Sequence, residues 1–289
     1  MKKSIRSTLF DLNWHKHAPK MPKGSGFYPY LLKDIERYRS QEFGGSESSA
    51  FADVLDHEYG LYTGSHTQIA GPLKVRIGNK SPRFLGKLRK GFEIPDWVED
   101  DNLKFLDSNA KGILLIETHT AFYRLVQNHA PAILNMILVT GMGIPRLPTR
   151  RLLHRIAKQF SLPVYVLTDN STFGYFIFSV LKRGMLAPHA TCPFAAIPNV
   201  HFLGLRAGDY SRFGIDRAKA IISWKNHWNL RIKAMAQYPC FKRDPWRKEF
   251  AAFKKQRGMF ELACITGVAG VEALIQELRT RVKKHDYLS

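Results

Sequence analysis

The chain has 289 residues, of which 45% are hydrophobic, and this length suits one large domain or one domain with an extension. The 44 lysines and arginines outnumber the 24 acids, which leaves a net charge of +20, and the three cysteines have no paired metal spacing. No apolar run approaches the roughly 20 residues of a membrane-spanning helix, and the N-terminus lacks the apolar core of a secretory signal. We therefore expect an intracellular protein with no membrane partner, disulfide framework or zinc site.

The first 50 residues are predicted to form a basic, irregular arm without a core of its own. The stretch HKHAPKMPKGSGFYP is rich in proline, glycine, lysine and aromatic residues, and only one short amphipathic stretch, YLLKDIERYRS, follows it. The absence of acids before Asp11 resembles an organelle-targeting segment, although Asp11 and Pro19 interrupt it. A mitochondrial and a nuclear location both stay open.

The excess positive charge favours a polyanionic partner, because each cation that meets a phosphate releases condensed counterions. Nucleic acid is the first interpretation, either DNA or RNA, and a merely solvated basic surface or an anionic lipid is the alternative. The loop NKSPRFLGKLRKG carries cations and no acid. Its predicted phosphate contacts are Lys80, Arg83, Lys87, Arg89 and Lys90.

The centre of the chain alternates buried strands with amphipathic helices. Apolar runs occur in GILLIE, NMILVTG, PVYVLTD and NVHFLGLR, and helical periodicity in TAFYRLVQNHA, PTRRLLHRIAKQF and FGYFIFSVLKRG. This order predicts an α/β fold with a parallel sheet covered by helices on both faces. A further strand, PLKVRIG, precedes this region, and the remainder after it is predicted to be mostly helical.

Two acids end neighbouring segments of the predicted sheet. Glu117 closes GILLIE and Asp169 closes PVYVLTD, and the carboxyl ends of parallel strands collect functional groups at one edge. Paired carboxylates suit Mg²⁺, whereas a lone acid at a strand end is more often a turn former or a helix cap. The loop TGMGIP could approach a phosphate through its backbone, but a plain tight turn is the better interpretation.

With these segments in order, the chain resembles the Toprim half of two related proteins: the A-type component of topoisomerase VI, and the meiotic protein that makes double-strand breaks. The similarity lies in ILLIETHTAFYRLV, VTGMGIPRLPTRRLLHRI, LPVYVLTDNSTFGYFIF and IPNVHFLGLRAGDYSRFGI. The resemblance implies a Toprim-type domain over residues 51–289 after an arm over residues 1–50. It also implies a metal-binding role for Glu117 and Asp169, further protein subunits in an assembly, and allows a homodimer.

Two departures from the family pattern affect the expected activity. The family's second paired acid falls on Ser171, and because a neutral hydroxyl is a poor substitute for a carboxylate, we expect weak Mg²⁺ binding. Family enzymes cut DNA with a tyrosine on an N-terminal winged-helix domain, for which fewer than about fifty residues precede the similarity here. If SIRSTLFDL corresponds to the tyrosine segment, Leu9 or Phe10 stands at the position of the nucleophile.

Two functions are compatible with these features. The one we favour from the sequence is a degenerate Toprim pseudoenzyme, a nucleic-acid-binding structural component of a larger assembly such as a ribonucleoprotein. The alternative is the A-type subunit of an ATP-dependent type IIB DNA topoisomerase or break-forming complex, with a catalytic tyrosine from another chain. In either case we expect phosphate contacts from the arginines near the start of PTRRLLHRIAKQF, which are Arg146, Arg150 and Arg151.

Overall fold

The computed structural model describes residues 67–94, 103–183, 196–223 and 226–289. The predicted arm over residues 1–50 lies outside these ranges and stays a prediction, as does the domain boundary at residue 51. The strands of the described chain are β1 (Gln68–Ala70), β2 (Leu73–Ile77), β3 (Arg83–Phe84), β4 (Phe92–Glu93), β5 (Leu103–Ser108), β6 (Ile113–Ile116), β7 (Ile137–Thr140), β8 (Val164–Leu167), β9 (Val200–Phe202), β10 (Ile221–Ser223) and β11 (Gly258–Phe260).

The helices alternate with the strands in the centre of the chain and dominate its C-terminal part. Pro148 lies in the first turn of the third helix, where its missing N–H costs nothing. The helices are α1 (His119–Gln127), α2 (Ala130–Leu134), α3 (Leu147–Phe160), α4 (Thr172–Arg183), α5 (Asp209–Arg212), α6 (Arg217–Ala220), α7 (Asn226–Met235), α8 (Asp244–Gln256), α9 (Leu262–Val268) and α10 (Val271–Lys283).

The main sheet has the strand order β4-β1-β7-β6-β8-β9. Its members β7, β6, β8 and β9 run parallel, whereas β1 pairs antiparallel with both β7 and β4. The α/β fold with a parallel sheet flanked by helices is therefore confirmed. The antiparallel edge of β1 and β4 was not predicted, because both strands are too short to show a periodic pattern.

The predicted strand PLKVRIG forms β2, but it lies outside the main sheet. It is the central member of a three-stranded antiparallel sheet with the order β3-β2-β5. A further antiparallel pair joins β10 to β11. This second pair is important for the site, because β11 comes next to the loop that follows β8.

The core lies on both faces of the main sheet. Every residue of β6, β7 and β8 is buried, and alternate residues face opposite sides. Ile113 and Leu115 belong to the cluster with α3 and α4, whereas Leu114 and Ile116 belong to the cluster with α1 and α10. Burial on two faces explains the continuous apolar runs in the sequence. Among the described helices, none has the length and apolar character needed to cross a membrane.

Candidate functional site

Glu117 and Asp169 lie beside each other at the carboxyl edge of the main sheet. Parallel pairing aligns Ile116 of β6 with Leu167 of β8, and the Glu117 N–H continues the ladder by donating to the Leu167 carbonyl oxygen at 3.0 Å. The Asp169 N–H then donates to Glu117 Oε2 at 2.9 Å. The structure therefore brings together the two acids that the sequence placed at neighbouring strand ends.

The loop after β8 is held in place by β11, although the two are far apart in the chain. Asn170 and Phe260 exchange both backbone hydrogen bonds, at 2.9 and 3.1 Å. This pairing brings the Leu262 N–H to Asp169 Oδ1, at 2.7 Å. Asp169 is thus fixed by the first residue of α9, whose N–H has no partner within the helix and favours a carboxylate.

The Asn170 side chain also holds the loop after β8 in place, through a buried hydrogen-bond network. Its amide nitrogen donates to the Tyr175 hydroxyl at 2.6 Å, and its carbonyl oxygen accepts from Gln256 Nε2 at 2.7 Å. The Tyr175 hydroxyl in turn donates to Glu249 Oε1 at 2.6 Å. Because Asn170, Tyr175, Glu249 and Gln256 are all buried, each bond that fixes this loop also satisfies a polar group that has no access to bulk water.

Both acids at the edge hold their protons more strongly than an exposed carboxyl group does. Burial, reinforced by the neighbouring Asp169 charge, raises the pKa of Glu117 from 4.5 to about 8, although the Asp169 N–H bond opposes this rise. Burial also raises the pKa of Asp169 from 3.8 to about 6, against the lowering effect of the Leu262 N–H. Two buried carboxylates this close repel one another when both are ionised, so a bound cation would stabilise the ionised pair.

Glu261 is a third carboxylate near this edge that the sequence analysis did not identify. Its charge contributes to the raised pKa of both Glu117 and Asp169, and it is the residue immediately before α9. The three acids do not form a metal-binding cluster, and no group of three or more potential ligands occurs among the described residues. Glu261 therefore acts on the pair through its negative charge.

Ser171, which occupies the position of the family's second acid, caps the helix after Asp169. Its Oγ accepts a hydrogen bond from the Gly174 N–H at 2.9 Å. A side chain at residue 174 would collide with the Asp169 carbonyl oxygen, which explains the glycine in NSTFG. The hydroxyl thus caps α4 and, being neutral, adds no negative charge to the acidic pair.

The TGMGIP loop is held to the same edge by bonds within the protein. The Gly143 N–H donates to the Glu117 carbonyl oxygen at 2.8 Å, and the Met142 N–H to Thr140 Oγ1 at 3.3 Å. Met142 has a φ of 55° and Gly143 one of 108°, so the chain turns sharply here. These engaged N–H groups fit the tight turn better than they fit a phosphate cradle.

The arginines predicted near α3 lie in different environments. Arg146 is the residue before the helix and is partly exposed, as is Arg151. Arg150 is 1% exposed, so its guanidinium group is packed inside the protein and is not presented to a ligand at the surface. The phosphate contact predicted for Arg150 does not fit this burial. The sequence could not indicate it, because a net charge of +20 does not show which cations point inward.

The basic loop, in contrast, presents all of its predicted cations to solvent. The buried Leu85 anchors the loop, and the Arg83 guanidinium lies 5.1 Å from the centre of the Phe92 ring. Within the described part of the chain these cations form no ion pair, so they are available to an external anion. The exposed cations are Lys80, Arg83, Lys87, Arg89 and Lys90.

The carboxylate oxygens of Glu117 and Asp169 are suitable ligands for Mg²⁺, but two carboxylates alone would bind it weakly. Each carboxylate uses one oxygen for a backbone N–H, which leaves the Glu117 Oε1 and the Asp169 Oδ2 for a cation. Mg²⁺ accepts one or two carboxylates and keeps several waters. When bound, such an ion neutralises phosphate charge and polarises a phosphoryl oxygen.

A mainly parallel sheet with paired acids at its carboxyl edge is consistent with a Toprim-type domain, and comparison with known proteins identifies the family. Residues 112–277 match the Toprim domain of the topoisomerase 6 A-subunit and Spo11 family, and this chain belongs to that family. The resemblance inferred from the sequence is therefore confirmed.

The similar proteins are archaeal topoisomerase subunits and meiotic recombination proteins. The chain is 26% identical over 289 residues to the A-subunit of type 2 DNA topoisomerase 6 from Saccharolobus shibatae, covering 91% of this chain and 72% of the relative. It is 33% identical over 171 residues to the corresponding protein of Aeropyrum pernix, covering 58% and 42%. It is 29% identical over 188 residues to the meiotic recombination protein SPO11-1 of Oryza sativa, covering 58% and 49%. The chain thus spans between 42% and 72% of these relatives.

Proposed function

We propose that this chain is the Toprim-bearing part of an A-type subunit in a type IIB DNA topoisomerase or a related DNA-break complex. The observation that carries the proposal is the Glu117 and Asp169 pair, which the backbone fixes at the carboxyl edge of the sheet through a 2.9 Å hydrogen bond. The names of the topoisomerase relatives include DNA and support it as the nucleic acid. They give no support to the RNA partner, the ribonucleoprotein or the pseudoenzyme that we favoured from the sequence.

In this function the chain's own residues hold a cation and a DNA backbone. Glu117 and Asp169 would hold Mg²⁺, and the exposed cations of the basic loop would contact phosphates. Tyr175, which follows the acidic site in the chain, is fully buried and donates its hydroxyl to Glu249. It therefore cannot act as the nucleophile, and we propose that other protein subunits complete the reaction.

A second function, DNA binding without metal chemistry, is favoured by one specific observation. Ser171 replaces a carboxylate with a neutral hydroxyl that caps α4. An assembly can retain such a domain for its basic surface after Mg²⁺ binding has weakened. The two functions differ in whether the acidic pair binds a cation, so a metal titration separates them.

Calorimetric titration with Mg²⁺ tests the proposal on the unaltered chain and on Ser171→Asp. An aspartate at residue 171 can still cap α4 while it adds a carboxylate at this edge, so we expect weak binding in the first protein and stronger binding in the second. Ser171→Asn is the matched control, because asparagine also caps but carries no charge. Equal heats from all three proteins, or Mg²⁺ binding that persists in Glu117→Gln, would contradict the assignment of the site.

A further inference from the structure

The three-stranded antiparallel sheet β3-β2-β5 has a basic outer face that is not part of the acidic site. In β2 the side chains alternate, with Leu73 and Val75 buried and Lys74 exposed between them. The register places Phe84 of β3 opposite Lys74 and Lys104 of β5 opposite Arg76. One face of this sheet therefore carries the outer-face group Lys74, Arg76, Phe84 and Lys104.

The cations Lys74, Arg76 and Lys104 repel one another, and they outnumber Asp107, the acid that the register places opposite Lys74. Arg76 and Lys104 stand directly opposite across two strands, an arrangement of like charges that destabilises a sheet. The side chains of Lys74, Arg76 and Lys104 form no ion pair among the described residues. Asp107 lies across from Lys74 in the register but forms no ion pair with it in this part of the chain. An anion from outside the chain would relieve this repulsion.

Phe84 adds an exposed aromatic ring to the same face. Phe84 is 46% exposed, although burying apolar surface stabilises a protein by about 25 cal/mol for each Å². The ring packs against Gly86, where an added Cβ would lie 2.5 Å from its Cζ atom, and the neighbouring Leu85 is fully buried. The ring is therefore held in position from one side while much of its surface stays open to solvent.

We propose that the outer-face group binds single-stranded nucleic acid, with an unpaired base stacked on Phe84 and phosphates on Lys74, Arg76 and Lys104. A basic surface with an exposed aromatic ring is the arrangement that binds single strands with little sequence preference. A base inside a duplex is already stacked on both sides, so Phe84 selects the unpaired form. The proposal rests on the proposed function, since it assumes that the chain works on DNA.

The spacing of the group suits consecutive nucleotides. Lys74 and Arg76 are two residues apart on one strand, which separates them by about 7 Å. Phe84 and Lys74 are direct cross-strand neighbours, with Cβ atoms about 5 Å apart. One base and the phosphates on either side of it can therefore contact the face together, while the acidic pair lies on a different sheet.

Fluorescence anisotropy with the full chain tests this inference. The probes are a labelled oligothymidylate and a labelled duplex of the same length, each titrated at several salt concentrations. The variants are Phe84→Leu, which keeps apolar bulk but removes the ring, and a triple change of Lys74, Arg76 and Lys104 to glutamine. The matched control is a triple change to glutamine of exposed lysines elsewhere, namely Lys219, Lys254 and Lys255. Circular dichroism melting shows whether each variant is folded.

We expect Phe84→Leu to weaken single-strand binding about ten-fold and to leave duplex binding nearly unchanged. The outer-face triple should reduce the salt slope for the single strand by about 2, because each phosphate contact contributes about 0.7. Unchanged single-strand affinity in Phe84→Leu, or an equal loss in the control triple, would overturn the inference. So would displacement of the oligonucleotide by polyglutamate as readily as by unlabelled oligothymidylate, since that result indicates an acidic peptide.

The same titrations separate this inference from the proposed function. If the chain binds the duplex, but Phe84→Leu binds the single strand as tightly as the unaltered chain does, the inference alone is contradicted. A chain that binds the single strand through Phe84 but does not bind the duplex contradicts the proposed function alone.

Discussion

Replacing Glu117 with glutamine should remove a pH-dependent cost from the folded protein. Glu117 is 6% exposed and its pKa is raised from 4.5 to about 8, chiefly by burial. The folded state therefore retains a proton that the unfolded state releases above pH 4.5. By proton linkage, the free energy of unfolding falls as the pH rises from 4.5 to about 8, and the cost is fully present above that. Glutamine has no such titration and can still accept the Asp169 N–H through its amide oxygen.

The interval between pH 6 and pH 8 isolates Glu117 from its neighbour. Asp169, with a pKa of about 6, makes most of its contribution below this interval. One proton gives a slope of about 1.4 kcal/mol per pH unit, so the free energy of unfolding should fall by up to about 2.8 kcal/mol over two units. The effective dielectric constant of a protein interior weakens such electrostatic costs, so this value is an upper limit.

Urea unfolding in EDTA at pH 6 and pH 8 measures the effect on both proteins. Subtracting the two curves removes the pH dependence of every group that the unaltered chain and Glu117→Gln share. We expect the free energy of unfolding of Glu117→Gln to increase relative to that of the unaltered chain as the pH rises from 6 to 8. Glu272→Gln on α10 is the control, because Glu272 is exposed. A pH dependence that is the same in the unaltered chain and in Glu117→Gln would refute the reasoning.

Three further predictions concern the support of the site and its activity. Gly174→Ala should lower the free energy of unfolding by about 2 kcal/mol or more, because the added methyl group collides with the Asp169 carbonyl oxygen. The control Gly267→Ala, with open space around it, should be neutral or stabilising in the same denaturation assay. Tyr175→Phe should lower the free energy of unfolding, measured by chemical denaturation, by about 1 to 3 kcal/mol, since buried Glu249 loses a donor. An unchanged free energy of unfolding would show that this hydrogen-bond network does not stabilise the fold. The purified chain alone should not cleave supercoiled plasmid with Mg²⁺, and linear DNA covalently joined to it after protease digestion would contradict the assignment of the nucleophile to another chain.

The alternating centre of the fold could be predicted because its strands are buried on both faces. Continuous apolar runs at β6, β7 and β8 are typical of strands in the middle of a parallel sheet, and the shared edge of Glu117 and Asp169 follows from the parallel order of β6 and β8. Local spacing is therefore sufficient to locate the pair of acids. The motif segments in the correct order also identified the family.

The rest of the site depends on contacts between distant parts of the chain. Glu261 and Leu262 reach Asp169 only because β11 pairs with Asn170, and the three residues GMF carry no strand pattern of their own. In the same way, PLKVRIG is a correct strand whose partner, β5, could not be chosen from periodicity. Composition also could not show that Arg150 is buried whereas the basic loop is exposed. These are outcomes of tertiary packing, which local sequence patterns do not encode.

The most direct test of the proposed metal site is the position of a cation at the edge of the main sheet. Crystals of the unaltered chain and of Ser171→Asp, soaked in Mn²⁺ as an anomalous scatterer that accepts the same oxygen ligands, would show it. We predict a peak in contact with both Glu117 and Asp169, weak in the unaltered chain and stronger in the variant. A peak elsewhere, or none at these two carboxylates in either protein, would contradict the claim that they form a metal site.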